Sequence, residues 1–561
     1  MGMEILAKKR LAQAVGVCFL WGAMQGTGFA APSLSQPGQD IEAQAPMPEA
    51  ELHDDTPTGE GLHEEVHFKV ENFRLEAPEL HIEKEPLVKI LQDGMKEDQT
   101  LTGLNETIRK ITGYCRQHGY PAAAAYLPPQ TSTDGVVILK VIPGRYGEVK
   151  IDNQSKLKER VIQGFLNGLT KEKGKIIRTE DLETTLFSLS DASGNKAVGV
   201  LSPGQEFGTS DLTVRIEKGK STNTILYVEN YGSKNTGRYR YGLQHSMYDV
   251  GGTGARINVG ALISNHHLHN YYANYEAIVG HGGTTLGLGY SRMDYHVGGG
   301  LSSIGAKGTA DTISLFGHRP IYHLHDRQLN VNYGFDYRKL HDEIEAFNFD
   351  TKKHSSNIHV GVDGFLRVEG LYFGYGLTAR TGWLGADSPY GEQQVELAGT
   401  KGNYSKLEAN VTAVKRLGNM ADIMVKASGQ VASKNLDGSE ELYLGGANAI
   451  RAYPQGTGSG DEGVLATAEL RFYTPVKGLV FSTYYDTGFV KYFHDGGLYQ
   501  NRDGATDSSI HLQGWGVGLS YTAPGDWFAR LDYARRIGGS KMLTDEEKAK
   551  GRLWFMAGKI W

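Results

Sequence analysis

Several clusters carry side chains that could do chemistry. His63-Glu64-Glu65-Val66-His67 has two histidines four residues apart, the first followed by a glutamate. On a helix this spacing puts both imidazoles on one face, where they can hold zinc while the glutamate serves as base. His67, however, lies within Val66, Phe68 and Val70, an alternating run that continues toward Phe73 and Leu75. A strand holds His63 and His67 too far apart to share one metal. Gly168 to Lys175 imitates a phosphate loop, but its spacing is one residue too long and Ile176 replaces the hydroxyl that should coordinate magnesium. His266, His267 and His269, beside Tyr271 and Tyr272, and the group His318, His323 and His325 could bind metal, although such clusters near strand ends are more often loop or interface features. No persuasive nucleophile and base stand together. The expectation is a protein without catalytic residues, metal, cofactor or nucleotide.

The elements around these clusters point elsewhere. From about Ser221 to Trp561 the chain alternates. Leu329, Val331, Tyr333, Phe335 and Tyr337 interleave with Asn330, Asn332, Gly334, Asp336 and Arg338. Trp515, Val517, Leu519 and Tyr521 interleave with Gly514, Gly516, Gly518 and Ser520, and Leu371, Phe373, Tyr375 and Leu377 with Tyr372, Gly374 and Gly376. A period of two over about nine residues suits a strand with one face in lipid and one in a wet lumen. A soluble sandwich also alternates, but it buries aliphatic residues rather than placing aromatics at strand ends. The 341 residues from Ser221 to Trp561, at roughly 20 per strand and connection, give a transmembrane β-barrel of about 16 antiparallel strands.

Composition agrees. The chain has 74 Gly and 30 Tyr, its mean hydropathy is −0.38, and beyond the N-terminus there is no apolar run long enough for a spanning helix. A net charge of −6 offers no basic surface for nucleic acid.

Upstream of the barrel four segments are expected. Residues 1–30 read as a signal peptide: Lys8, Lys9 and Arg10 precede the apolar stretch Leu11 to Met24, and Gly28-Phe29-Ala30 precedes Ala31. Its removal leaves Cys115 as a single cysteine without a disulfide partner. Residues 31–65 form an acidic, Pro-rich linker with a short helix around Pro48 to His53, a candidate plug for the lumen. Residues 66–146 and 147–219 form two small α+β units. In the first, Leu104, Ile111 and Cys115 share a helical face with Ile108, and Gly119 stops the helix. Residues 220–561 are the barrel.

These segments carry a family resemblance. Gln117-His118-Gly119-Tyr120, Tyr126-Leu127-Pro128-Pro129-Gln130, Asp134-Gly135 and Pro143-Gly144-Arg145 resemble the polypeptide-transport-associated (POTRA) domains of two-partner secretion transporters, the haemolysin secretion/activation family. Glu229-Asn230-Tyr231-Gly232-Ser233 and Thr236-Gly237-Arg238-Tyr239 are similar to the barrel opening of that family. The superfamily also contains the barrel-assembly insertases.

Gly445-Gly446-Ala447-Asn448-Ala449-Ile450-Arg451-Ala452-Tyr453 resembles the superfamily loop that folds back into the barrel and ends in Arg-Gly-Tyr/Phe; Ala452 stands at the usual glycine. Tyr484-Tyr485-Asp486-Thr487-Gly488 resembles the wall motif that receives the arginine. The resemblance therefore implies a lock between the loop tip, Arg451 and Tyr453, and the wall, Asp486, Gly488 and Glu469. Alternation independently turns Asp486 and Glu469 toward the lumen, where an arginine fork could pair with Asp486. The last strand, with Phe555 and Trp561 on one face, resembles the signal read by barrel-assembly machinery, and Lys559 interrupts that face.

The resemblance implies an outer-membrane transporter, its POTRA domains in the periplasm, that recognises and exports a large unfolded exoprotein of adhesin or haemolysin type. Its other partners would be outer-membrane lipids and, during biogenesis, the assembly machinery. An insertase, or a porin or receptor, remains as the alternative.

Overall fold

The computed structural model describes residues 51–54, 67–130, 135–170, 174–495, 508–523, 525–538 and 549–561. The expected signal peptide, His63, Glu64 and part of the phosphate-loop mimic lie outside them.

Sixteen antiparallel strands, from Thr222–Glu229 to Gly551–Ile560, close into a barrel. Alternation is the cause: every second residue faces the lumen, so a closed ladder satisfies the backbone while one apolar row meets lipid. Phe335, Leu377, Trp515, Leu519 and Tyr521, all from the expected lipid-facing rows, are exposed on the outer wall. The strands lengthen to 20 residues at Phe349–Val368. The seam is short, with Ile225 to Glu229 pairing Ile560 to Met556, and beyond it Trp561 N–H donates to the Thr224 carbonyl at 2.9 Å.

Two α+β units precede the barrel. In the first, Asn72–Glu76 lies parallel to Val136–Ile142, which pairs antiparallel with Ala124–Tyr126. The helices Glu85–Gly94 and Leu101–Gln117 cover this sheet. The Thr100 hydroxyl accepts from Gly103 N–H at 3.0 Å and caps the second helix. Leu104, Ile111 and Cys115 are buried on its inner face. The single strand expected from Val66 to Leu75 is interrupted: His67–Phe68 pairs with Gln99–Thr100, and Asn72–Glu76 begins a separate pairing.

The second unit repeats this topology. Arg145–Asn153 runs parallel to Thr209–Glu217, which pairs antiparallel with Lys196–Pro203, and the helices Glu159–Thr170 and Thr179–Ser193 pack against them. Leu182, Leu186, Leu189, Leu201, Leu212 and Val214 lie in its core.

The stretch 31–65 holds a difference from the sequence reading. Glu51–Asp54, inside the segment expected to be linker with a helix around Pro48 to His53, is a strand parallel to Lys196–Pro203 and extends the second unit's sheet to four strands. An exposed sheet edge offers unpaired backbone groups, and satisfying them outweighs the weak local helix preference. The remainder of the suggested plug region lies outside the described residues.

The second unit docks on the barrel through histidines. The turn joining Ala306–His323 to Arg327–Ile344 sits on helix Thr179–Ser193, where His323 Nδ1 is 3.0 Å from Asp191 Oδ2 and His325 Nδ1 is 3.1 Å from Glu183 Oε2. The Thr184 hydroxyl accepts from His323 N–H at 3.0 Å. These residues thus join two parts of the protein.

Candidate functional site

The strands Ala421–Ala432 and Glu462–Tyr473 are joined by loop 433–461, which folds back into the lumen. Leu442–Tyr443 pairs with Ser459–Gly460 at its base, and Ile450 N–H donates to the Leu444 carbonyl at 2.8 Å. Gly446 takes a φ of +142°, and a Cβ there would lie 2.3 Å from Gln455 Oε1. Glycine is needed at that bend. The hairpin delivers Arg451 to the wall with only 3% of its surface exposed.

At the wall, Arg451 Nη2 donates to Asp486 Oδ1 at 2.8 Å and Nε to Asp486 Oδ2 at 2.9 Å, while Nη1 donates to Glu469 Oε2 at 3.0 Å. The Arg451 backbone N–H adds a bond to Asp486 Oδ2 at 3.1 Å. This is the forked, charge-assisted geometry that lysine cannot reproduce. The expected residues Arg451, Asp486 and Glu469 are brought together. Tyr453 is buried beside Leu444, Ile450, Ala452 and Leu512. A Cβ on Gly488 would lie 2.7 Å from Leu444 Cδ2 and 3.1 Å from Ile450 Cδ1, so that glycine leaves room for the loop.

Ala452 fits for a similar reason. It is absent from the residues with positive φ, so the tip needs no glycine conformation there. Its methyl group seats against Gly514, where an added Cβ would come within 2.5 Å.

Several members of the site were not anticipated. Asp532 lies 3.4 Å from Arg451 Nη1, and Arg530 pairs with Asp532 at 2.6 Å. Arg530-Leu531-Asp532 alternates with outward Leu531 and Tyr533, which was a usable signal. Tyr484, from the expected wall motif, stacks its ring under the guanidinium, 3.1 Å from Cζ to centroid. The indole N–H of Trp554 donates to the Arg451 carbonyl at 2.6 Å.

The other arm of the loop is held by the facing wall, which sequence reasoning also missed. Lys353 Nζ contacts Asp437 Oδ2 at 2.6 Å, Arg338 Nη1 contacts Glu440 Oε1 at 3.1 Å, and Lys406 Nζ contacts Glu440 Oε2 at 3.0 Å. All five groups are buried or nearly so. The loop consequently spans the lumen, tied at its tip to one wall and at its arm to the other.

The last strand places Phe555 outside, its ring 6.2 Å from that of Tyr239, and leaves Trp561 half exposed at the rim. Lys559 Nζ sits 4.9 Å over Trp527 and 5.7 Å over Trp561 and reaches Asp526 at 3.3 Å. Its amine thus leaves the apolar face for the interface. Of the histidines with metal-binding spacing, His67 pairs with Asp98 at 2.7 Å, His269 with Asp294 at 2.8 Å and His318 with Glu276 at 3.3 Å.

The closed barrel and the α+β region before it agree with what the comparisons find. Residues 208–521 match the family described as haemolysin secretion/activation protein ShlB/FhaC/HecB, and residues 68–144 match the ShlB-type POTRA domain. The chain belongs to this family. It is an outer-membrane two-partner secretion transporter with its POTRA region in the periplasm. Homologues in this family work with secreted exoproteins.

The heme/hemopexin transporter protein HuxB of Haemophilus influenzae is 26% identical over 469 residues, covering 82% of each chain. The structure of CdiB from Escherichia coli superimposes with a TM-score of 0.66 at 18% identity, over 90% of this chain and 93% of that one. BamA from Haemophilus ducreyi lacking POTRA domains 1–3 gives a TM-score of 0.52 at 14% identity, over 88% of this chain and all of the other, and shares the fold.

Proposed function

We propose that this transporter recognises the unfolded N-terminal region of one large adhesin- or haemolysin-type exoprotein on its two periplasmic units and passes it through the lumen when loop 433–461 leaves the wall. The observation that carries the reading is the Arg451 fork on Asp486 and Glu469 inside the barrel. A buried ion pair adds little net stability, but it fixes one arrangement and is costly to break from one side. That suits a loop that closes a wide pore until a client displaces it. Recognition by strand addition uses backbone hydrogen bonds and so tolerates many client sequences.

In this reading residues 1–30 are the signal peptide, 31–65 the linker, 66–146 and 147–219 the two POTRA domains and 220–561 the barrel. The outer row of the last strand, with Phe555 and Trp561, is what the assembly machinery reads; the outer wall is solvated by outer-membrane lipid. The protein performs no covalent chemistry.

The test compares the medium and the outer membranes of cells carrying the intact gene, a deletion, and Arg451→Ala at normal levels. Loss of one or a few large polypeptides from the medium, with other barrels unchanged, is expected for the deletion and the variant. General loss of outer-membrane barrels would assign an insertase instead, and an unchanged medium and membrane would leave a pore or receptor.

A further inference from the structure

The two periplasmic units have equivalent sheet edges in different states. In the first, the edge strand Ala124–Tyr126 pairs, among the described residues, on one side, with Val136–Ile142. In the second, the equivalent strand Lys196–Pro203 pairs with Thr209–Glu217 on one side and with Glu51–Asp54 on the other. The added ladder is parallel and joins Glu51, Leu52, His53 and Asp54 to Val198, Gly199, Val200 and Leu201.

The geometry of this occupant favours exchange. It is four residues long against an eight-residue edge strand, and a parallel ladder is the less stable kind per residue. Residues 55–66 join it to the first unit; a chain of that length reaches about 40 Å when extended. Glu51–Asp54 can therefore leave without either unit unfolding. While tethered it competes at an effective concentration on the order of millimolar.

We infer that the Lys196–Pro203 edge is a docking site for an extended client segment and that Glu51–Asp54 is its resident placeholder, displaced when the client arrives. This rests on the secretion reading above. The placeholder covers an edge that would otherwise pair with any passing strand, and it sets a threshold that only a segment with a better-matched ladder or longer reach overcomes. The alternative is a permanent cap with no part in recognition.

The two are separated by locking and by removing the strand in the full-length protein. With Cys115→Ala as background, His53→Cys and Val200→Cys place two thiols at directly paired positions. Cells carrying this pair should lose the gene-dependent polypeptide from the medium by about tenfold or more, relative to either single cysteine, and regain it when a membrane-permeant reductant is added. The double variant Leu52→Pro, His53→Pro removes ladder donors. A labelled synthetic peptide of residues 48–57 should bind the purified variant at least about tenfold more tightly than the parent, whose edge is filled, and should not bind the oxidised pair.

Export by the oxidised pair at the parental level, with the disulfide verified, would overturn the inference and leave a cap. Equal peptide binding to parent and double variant would overturn it as well. If deleting the gene removes no polypeptide from the medium, the secretion reading itself fails, a result distinct from either.

Discussion

Arg451 and Asp486, 35 positions apart in the chain, meet through three hydrogen bonds: two from the guanidinium at 2.8 and 2.9 Å and one from the Arg451 backbone N–H at 3.1 Å. Side chain and main chain of the loop tip therefore converge on one carboxylate. Asp486 is wholly buried, so neither partner has water to fall back on.

Arg451→Ala leaves Asp486, Glu469 and Asp532 without the guanidinium they share, while Arg530 still pairs with Glu469 and Asp532. Breaking a buried pair from one side costs about 3–5 kcal/mol. The expected outcome is a folded barrel with a displaced loop, seen as raised single-channel conductance in planar bilayers. Arg451→Lys should behave closer to Ala than to the parent, because an ammonium cannot make the fork.

Gly488→Val should unseat the loop without touching a charge, since its Cβ would already sit 2.7 Å from Leu444 Cδ2. Overpacking of this kind costs about 1–3 kcal/mol. Conductance should rise as for Arg451→Ala while heat-modifiable gel mobility shows a closed barrel; parental conductance would count against a packing role for this position. Ala452→Gly, in contrast, is expected to leave conductance unchanged, because Ala452 has no positive φ to relieve.

Lys353→Met tests the opposite wall. It strands Asp437, whose partner lies 2.6 Å away, and should loosen the arm while the Arg451 tip stays seated. Adding Asp437→Asn removes the uncompensated charge and should recover part of the loss, the signature of a coupled pair in a double-mutant cycle. Strict additivity in conductance and secretion would mean that the two groups do not act together.

Cys115 reports on the first periplasmic unit. Burial pushes its thiol up to about 11. The folded state therefore favours the protonated thiol, and the associated stability is fully present below the unfolded value of about 8.5 and falls as pH rises toward the folded one. Denaturant midpoints of the protein should decline between about pH 9 and pH 11, and Cys115→Ser should reduce that part of the decline. Alkylation of the native protein at neutral pH should be slow, since thiolate and access are both missing.

The barrel was legible in the sequence because its cause is local. A strand in a membrane wall must alternate, and Trp515 to Tyr521 or Leu329 to Tyr337 show that period without knowledge of their neighbours. The same rule turned Asp486 and Glu469 inward, and family resemblance supplied Arg451 and Tyr453. Helix boundaries around Leu104, Ile111 and Cys115 followed from spacing and from the Gly119 stop.

What only the tertiary structure decided are meetings between distant segments. Alternation says that Arg338, Lys353 and Lys406 face the lumen, but not that Asp437 and Glu440 cross it to reach them. It places Asp532 inside, yet the register of sixteen strands determines that Asp532 shares a guanidinium with Asp486 and Glu469. Glu51–Asp54 is the clearest case. Its own residues carry no strand pattern, and its pairing exists because an edge some 150 residues downstream offers unsatisfied backbone donors and acceptors. Local periodicity is written in side chains, whereas backbone partnership depends on what folding brings alongside.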